Sequence, residues 1–112
     1  MADSIFGQIA RGEASADIVY EDETALAFRD LSPRAPTHLL VIPREPIAKL
    51  SDAGSEHEPL LGHLLLVAQR VAREAGLEDY RVVLNNGAGA GQSVFHIHLH
   101  VIGGRPLSWP PG

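Results

Sequence analysis

The chain has no cysteine. That excludes disulfides and thiolate metal ligands and fits a reducing compartment, so the cytoplasm is the expected location. Long hydrophobic runs are also missing: no apolar stretch approaches the roughly 18 residues a bilayer span needs. Met1 to Glu13 shows no basic segment leading into an apolar one, so no secretory leader is expected. Nor is there an excess of positive charge. Nine Lys and Arg against 14 Asp and Glu leave a formal charge of −5, which argues against general affinity for nucleic acid or anionic membrane. A small anionic ligand held by a few local donors stays compatible with it.

What remains is 112 residues, 45% of them apolar, enough for one compact domain spanning 1–112 with a modest core. Domains this small often extend their core by pairing with a second copy. Ile5, Phe6, Ile9 and Ala10 recur at helical spacing, and Gly12 closes a short N-terminal helix. Strands are expected at Ile18 to Glu21, Thr24 to Phe28, His38 to Ile42, Arg81 to Leu84 and Val94 to Ile102. Two prolines make Leu31 to Pro36 a loop. Leu60, Leu61, Leu64, Val67, Ala68, Val71 and Ala75 form the apolar stripe of one long helix. Ser55 and Glu58 have capping-box spacing at its start, and Gly76 is its C-terminal cap. Consecutive strands with short turns and one long helix predict an α+β domain, a five-stranded antiparallel sheet covered on one face.

The chemistry concentrates in His96-Ile97-His98-Leu99-His100-Val101-Ile102. On an extended strand alternate side chains share a face, so the three imidazoles should form one row outside the core while Ile97, Leu99 and Val101 enter it. Groups titrating near neutral pH on one rigid row suit nucleophilic or acid–base chemistry, or metal ligation. The Gly-rich stretch Asn85 to Ser93 runs directly into that row. It is neither a dinucleotide fingerprint nor a Walker loop, but its glycines let backbone N–H groups approach a ligand. Asp30 reads locally as a turn-initiating residue, His57 as solvent-facing, and His63 as a boundary residue beside the helix stripe.

The row His96 to Ile102 resembles the signature of the histidine triad family. The likeness extends to Phe6-Gly7, Ala27 to Pro33, Ala35 to Pro43, Leu61-Gly62-His63, Gly91 to Val94 and Gly103 through Trp109-Pro110-Pro111-Gly112, blocks similar to the Hint branch. The resemblance runs nearly end to end. It implies a two-fold homodimer that hydrolyses the P–N bond of purine nucleoside 5′-phosphoramidates, or of aminoacyl-adenylate-like substrates, through a covalent nucleotidyl-histidine. His98 would be the nucleophile, oriented by the backbone carbonyl of His96. His100 would bond the phosphate oxygens, His38 would support the proton network, and Ser93 would contact the leaving group or phosphate. Loop amides and imidazolium charge would stabilise the developing negative charge. Asp30 would accept from the ribose hydroxyls, Asn85, Gly91 and Gln92 would hold the phosphate end, and Phe6, Ile9, Phe28, Leu31 and Leu40 would wall the base. Trp109 resembles a tail residue that approaches the partner's site. The scheme requires no metal or cofactor, and the expected partners are a purine nucleoside monophosphate-type substrate and a second copy, not nucleic acid or membrane.

Within the superfamily, His100 stands where the hexose-1-phosphate nucleotidylyltransferases carry Gln, and Asn85 where dinucleoside polyphosphate hydrolases tend to carry Gln. Polyphosphate hydrolysis is the nearest alternative. A zinc enzyme built on the histidines is a rival of different chemistry, and a nucleotide-binding scaffold without turnover is the third reading. No Asp or Glu between Arg81 and Gly112 is available to support histidine ligands of a metal.

Overall fold

The computed structural model describes residues 4–112; the first three positions of the expected 1–112 domain lie outside the described residues. Helix α1 (Ile5–Ala10) is capped by Ser4, whose hydroxyl accepts from the Gly7 N–H at 3.0 Å. Strands β1 (Ile18–Glu21), β2 (Ala25–Arg29) and β3 (Thr37–Pro43) follow as an antiparallel meander. Helix α2 (Glu58–Glu74) then leads to β4 (Tyr80–Val83) and β5 (Leu99–Gly103). The sheet is five-stranded and antiparallel with order β1-β2-β3-β5-β4. The helical crossover therefore sets β4 outside β5, and not every consecutive pair of strands is adjacent.

Alternation along the strands sorts two cores. Ala25, Ala27, Leu39, Val41, Leu99 and Val101 face α2 and pack on Leu64, Val67, Ala68, Val71 and Ala72. Leu26, Phe28, Leu40 and Ile42 face the other way, against Phe6, Ile9 and Ala10 of α1. The buried Leu64, Val67 and Val71 side chains each contribute about 1.5–3 kcal/mol by leaving water. The helix faces differ from expectation at one end: Ala75 is exposed and Ala72 is the buried residue. Past the last helical turn the Leu77 N–H returns to the Ala72 carbonyl at 3.0 Å, closing the helix around Gly76.

Two local expectations need correction. The Ser55–Glu58 capping box does not form; a short 3-10 turn precedes α2, and the Gly54 N–H donates to His57 Nδ1 at 2.9 Å. His57 is consequently not solvent-facing but half-buried, with Nε2 2.7 Å from Glu45. The last strand begins at Leu99, not Val94. Its partner β3 ends at Pro43, which has no N–H to extend the ladder. The Ile97 N–H turns instead to the Ile47 carbonyl at 2.7 Å. No helix among the described residues is long and apolar enough to cross a membrane.

Candidate active site

The sheet face carrying α1 is incompletely covered, and the gap is a cavity of about 550 Å³, within the range of small-molecule sites. Parity explains which histidines reach it. His100 lies opposite Leu40 and His38 opposite Ile102, so both project to the α1 side while Leu99 and Val101 take the α2 side. His98 precedes the strand and joins them, its ring 5.0 Å from that of His100 and 4.9 Å, edge to face, from Phe6. His96 departs from the expected exposed row. Its ring is fully buried, and its Nε2–H donates to the Pro43 carbonyl at 2.8 Å.

The hydrogen bonds define every tautomer of the site. A carbonyl can only accept, so His98 Nδ1 carries the proton it shares with the His96 carbonyl at 2.8 Å. His98 Nε2 is then left with the lone pair. The Arg34 backbone N–H donates to His38 Nδ1 at 3.0 Å, so the His38 proton sits on Nε2 and points to His100 Nδ1 at 2.9 Å. His100 in turn carries its proton on Nε2. Asp30 Oδ2 lies 3.4 Å from His38 Nε2, while Asp30 Oδ1 accepts from the Ser32 N–H at 2.8 Å, the turn contact read from sequence.

Burial keeps these rings neutral. Desolvation is the leading cause that lowers His98 below the ordinary histidine range, opposed by its bond to the His96 carbonyl and by the Asp30 charge. His100 is pushed down to about 4 by burial, then by His98 and His38, with Asp30 opposing. His38 is lowered by burial, with Asp30 working against the shift and Arg34 with it. In the free protein at neutral pH these rings are therefore uncharged, where the resemblance implies imidazolium charge.

Of the residues singled out from sequence, the cavity brings together Phe6, Ile9, Phe28, Asp30, Leu31, His38, Leu40, Asn85, Gly91, Ser93, His98 and His100. Gly87 and Gly91, with φ of 93° and 97°, give the loop turns that disfavour a side chain. Three residues lie elsewhere. His96 contributes its carbonyl and not its ring. Gln92 turns inward, its amide bonded to Gly87 N–H, Ala48 O and Val94 O. Trp109 is 81% exposed with the Arg81 guanidinium 6.0 Å from its ring, outside this chain's cavity. The wall also includes Ile5, Ser15, Ala16, Asp17, Arg29, Ser32, Arg34 and Val94, which sequence reading passed over. Ile5 was legible as the i−4 neighbour of Ile9, and Arg34 as a charge between Asp30 and His38; the others carry no local signal.

Asp30, His38 and His100 present ligand atoms within 4.8 Å of one another, a grouping a metal could use. The arrangement does not fit one as it stands. His38 Nε2 and His100 Nδ1 point at each other through a hydrogen bond and not at a common centre.

Comparison with known proteins places this geometry among relatives. The HIT domain family model matches residues 11–107. The chain is 58% identical over 111 residues to an uncharacterized HIT-like protein of Synechococcus elongatus, covering 98% of this chain and 97% of that one. It is 51% identical over 112 residues to a 14 kDa zinc-binding protein of Zea mays, covering 97% and 88%. A crystal structure of a HIT family hydrolase from Legionella pneumophila superposes with a TM-score of 0.94 at 48% identity, over 96% of this chain and 98% of that one.

Proposed function

The chain belongs to the HIT domain family, and from that premise we propose that it is a Hint-type hydrolase of purine nucleoside 5′-phosphoramidates. The observation that carries this reading is the neutral His98 ring, its Nδ1–H committed to the His96 carbonyl and Nε2 left with a lone pair in a ring that lines the cavity. A neutral, tautomerically fixed imidazole is a nucleophile needing no further activation.

In this reading His98 Nε2 bonds to the α-phosphorus as the P–N bond breaks. The amine departs with the bonding pair and takes up a proton at the open mouth. Water then attacks the nucleotidyl-histidine, the P–Nε2 bond breaks, and nucleoside monophosphate and free His98 result. His100 Nε2–H and the loop around Gly91 and Ser93 donate to phosphoryl oxygens as charge develops. Asp30 accepts from the ribose hydroxyls, and Phe6, Ile9, Phe28, Leu31 and Leu40 hold the base by area and stacking. Asn85 and Ser93 hold the phosphate and leaving-group end. A dimer is part of the proposal, supported by the outer edge of β4, where Val82 is exposed, and by Leu65 and Leu66 on the open face of α2. The Zea mays relative's zinc does not enter the scheme, because the facing nitrogens of His38 and His100 are already bonded to each other.

The test is incubation with adenosine 5′-phosphoramidate and a dinucleoside polyphosphate side by side, with mass measurement of the quenched protein. Faster turnover of the phosphoramidate and a mass increase of one nucleotidyl group on His98 are expected. Preferential cleavage of the polyphosphate would move the chain to the other hydrolase class.

A further inference from the structure

A run of hydrogen bonds leads from the C-terminal segment into the site, and it starts at an exposed side chain. The Arg105 guanidinium straddles the Arg34 carbonyl, Nε and Nη2 donating at 3.1 and 2.9 Å, while Nη1 donates to Pro106 O at 3.1 Å. The Arg34 N–H, on the other side of the same α-carbon, donates to His38 Nδ1 at 3.0 Å. His38 Nε2 then meets His100 Nδ1 at 2.9 Å. Between Pro33 and Pro36, which have no N–H to give, the main chain is anchored through Arg34. The two segments are also built against each other. Thr37 pairs with Gly103, and a Cβ on Gly104, whose φ is 92°, would stand 2.9 Å from Pro36 Cβ. That turn and that closeness call for glycine, and they bring Arg105 onto the loop.

A neutral His38–His100 pair can hold its protons in two ways. With the His38 proton on Nε2, His100 Nδ1 accepts and His100 presents an N–H at Nε2. With the His38 proton on Nδ1 the bond between the rings reverses, and His100 Nε2 presents a lone pair instead. The Arg34 N–H selects the first arrangement, because it needs an acceptor at His38 Nδ1. Asp30 Oδ2, 3.4 Å from His38 Nε2, favours the same one by its charge. We propose that Arg105 is a positioning residue for hydrolysis: by holding the Arg34 main chain it keeps the His38 proton on Nε2, and so keeps His100 a donor toward a phosphoryl oxygen. The consequence for catalysis rests on the phosphoramidase reading; the placement of the proton does not. The planar guanidinium sets two N–H groups on one carbonyl and fixes its direction, whereas an ammonium would hold it at a single point.

The experiment uses the whole chain with nitrogen-labelled histidine, recording the ring nitrogen resonances at neutral pH beside steady-state kinetics on adenosine 5′-phosphoramidate. In the parent, Nδ1 of His38 and of His100 should resonate as bare nitrogens and both Nε2 atoms as protonated ones. In Arg105→Ala both rings should move toward the averaged values of exchanging tautomers. The protonation midpoint of His38 should also rise, since a donor to its lone pair is weakened. The kcat should fall by about tenfold with KM within a few-fold, less than the loss of a whole oxyanion donor because Asp30 still favours the same proton position. Arg105→Lys should lie between. Arg81→Ala is the control for a displaced tail: Arg81 Nη2 holds the Ser108 carbonyl at 2.9 Å and does not touch Arg34, so its loss should leave the ring resonances alone. Unchanged resonances or unchanged kcat in Arg105→Ala, or equal changes in Arg81→Ala, overturn the proposal. Absence of turnover in the parent defeats the phosphoramidase reading instead, and the resonances still decide whether Arg105 places the proton.

Discussion

The ring of His98 is bound to the backbone two residues upstream: its Nδ1–H meets the His96 carbonyl at 2.8 Å. That acceptor is available because residues 94–98 lie outside the sheet, so no neighbouring strand consumes it. The buried His96 ring, bonded to the Pro43 carbonyl, pins the same peptide from its other side. One histidine thus fixes the proton position of the next through its main chain, and its own imidazole serves as an anchor.

Replacing His98 by Ala should abolish turnover and formation of the nucleotidyl-protein while nucleoside monophosphate affinity stays within a few-fold. In the proposed scheme binding is spread over the apolar wall and Asp30, whereas the covalent step needs the one lone pair. Steady-state kinetics together with calorimetric titration check both halves. Normal turnover in this variant would remove His98 from the nucleophile's role.

The lowered proton affinities of His38, His98 and His100 set two pH dependences with definite signs. In the unfolded chain these rings protonate near about pH 6.5, whereas folded His100 does so only at about 4. Between those values the unfolded state binds more protons, so stability falls as pH drops through that window and is unaffected by these rings above it. Denaturant unfolding from pH 7.5 to 4.5 should show the decline, and His100→Asn should lessen it. For the same reason the acid limb of kcat/KM should lie below 6.5, since His98 stays neutral longer than a free histidine.

How much of this was legible in the chain depends on the distance over which the deciding contact acts. The apolar runs Ala25 to Phe28 and Leu39 to Ile42 are local and identified both strands, but because both faces are buried they did not say which side chains meet α2. The strand pattern from Val94 to His98 is equally local and yet makes no strand, because its partner runs out at Pro43, more than fifty residues earlier. Strand order was hidden likewise, since the position of β4 beyond β5 depends on where α2 delivers the chain. Asp30, Asn85 and Phe6 were placed at the site by family resemblance, not by any property of their neighbours. Arg29 and Asp17 form a pair twelve positions apart that no motif marks.

Asp30→Ala should weaken ribonucleotide binding by about tenfold, one to two charge-assisted hydrogen bonds, and hardly change a nucleotide lacking both ribose hydroxyls. The carboxylate already takes the Ser32 N–H on one oxygen, and its second oxygen faces His38, so it sits fixed without being saturated. Competition assays with adenosine monophosphate and its 2′,3′-dideoxy analogue distinguish the outcomes. Equal losses for the two ligands would mean that Asp30 acts only by holding its loop.

Gln92 is the sharpest departure from what its position suggested, and it supplies a prediction in which two readings separate. A residue touching only substrate would, when truncated, raise KM and leave the melting temperature alone. Gln92 is 3% exposed, and its amide joins three backbone segments: Oε1 takes the Gly87 N–H at 2.8 Å, and Nε2 donates to Ala48 O at 2.8 Å and Val94 O at 3.0 Å. Gln92→Ala should therefore cost at least about 3 kcal/mol of stability, since it orphans three backbone groups at about 1–3 each. It should also lower kcat/KM by about tenfold to a hundredfold through displacement of the loop that carries Gly91 and Ser93. Gln92→Glu should rescue neither quantity. It keeps an acceptor for Gly87 but turns a carboxylate oxygen toward two carbonyls that need a donor, and like dipoles around a buried charge repel. Thermal unfolding and kinetics on both variants decide the matter: a melting temperature unchanged from the parent in Gln92→Ala would return this residue to the substrate's side of the loop.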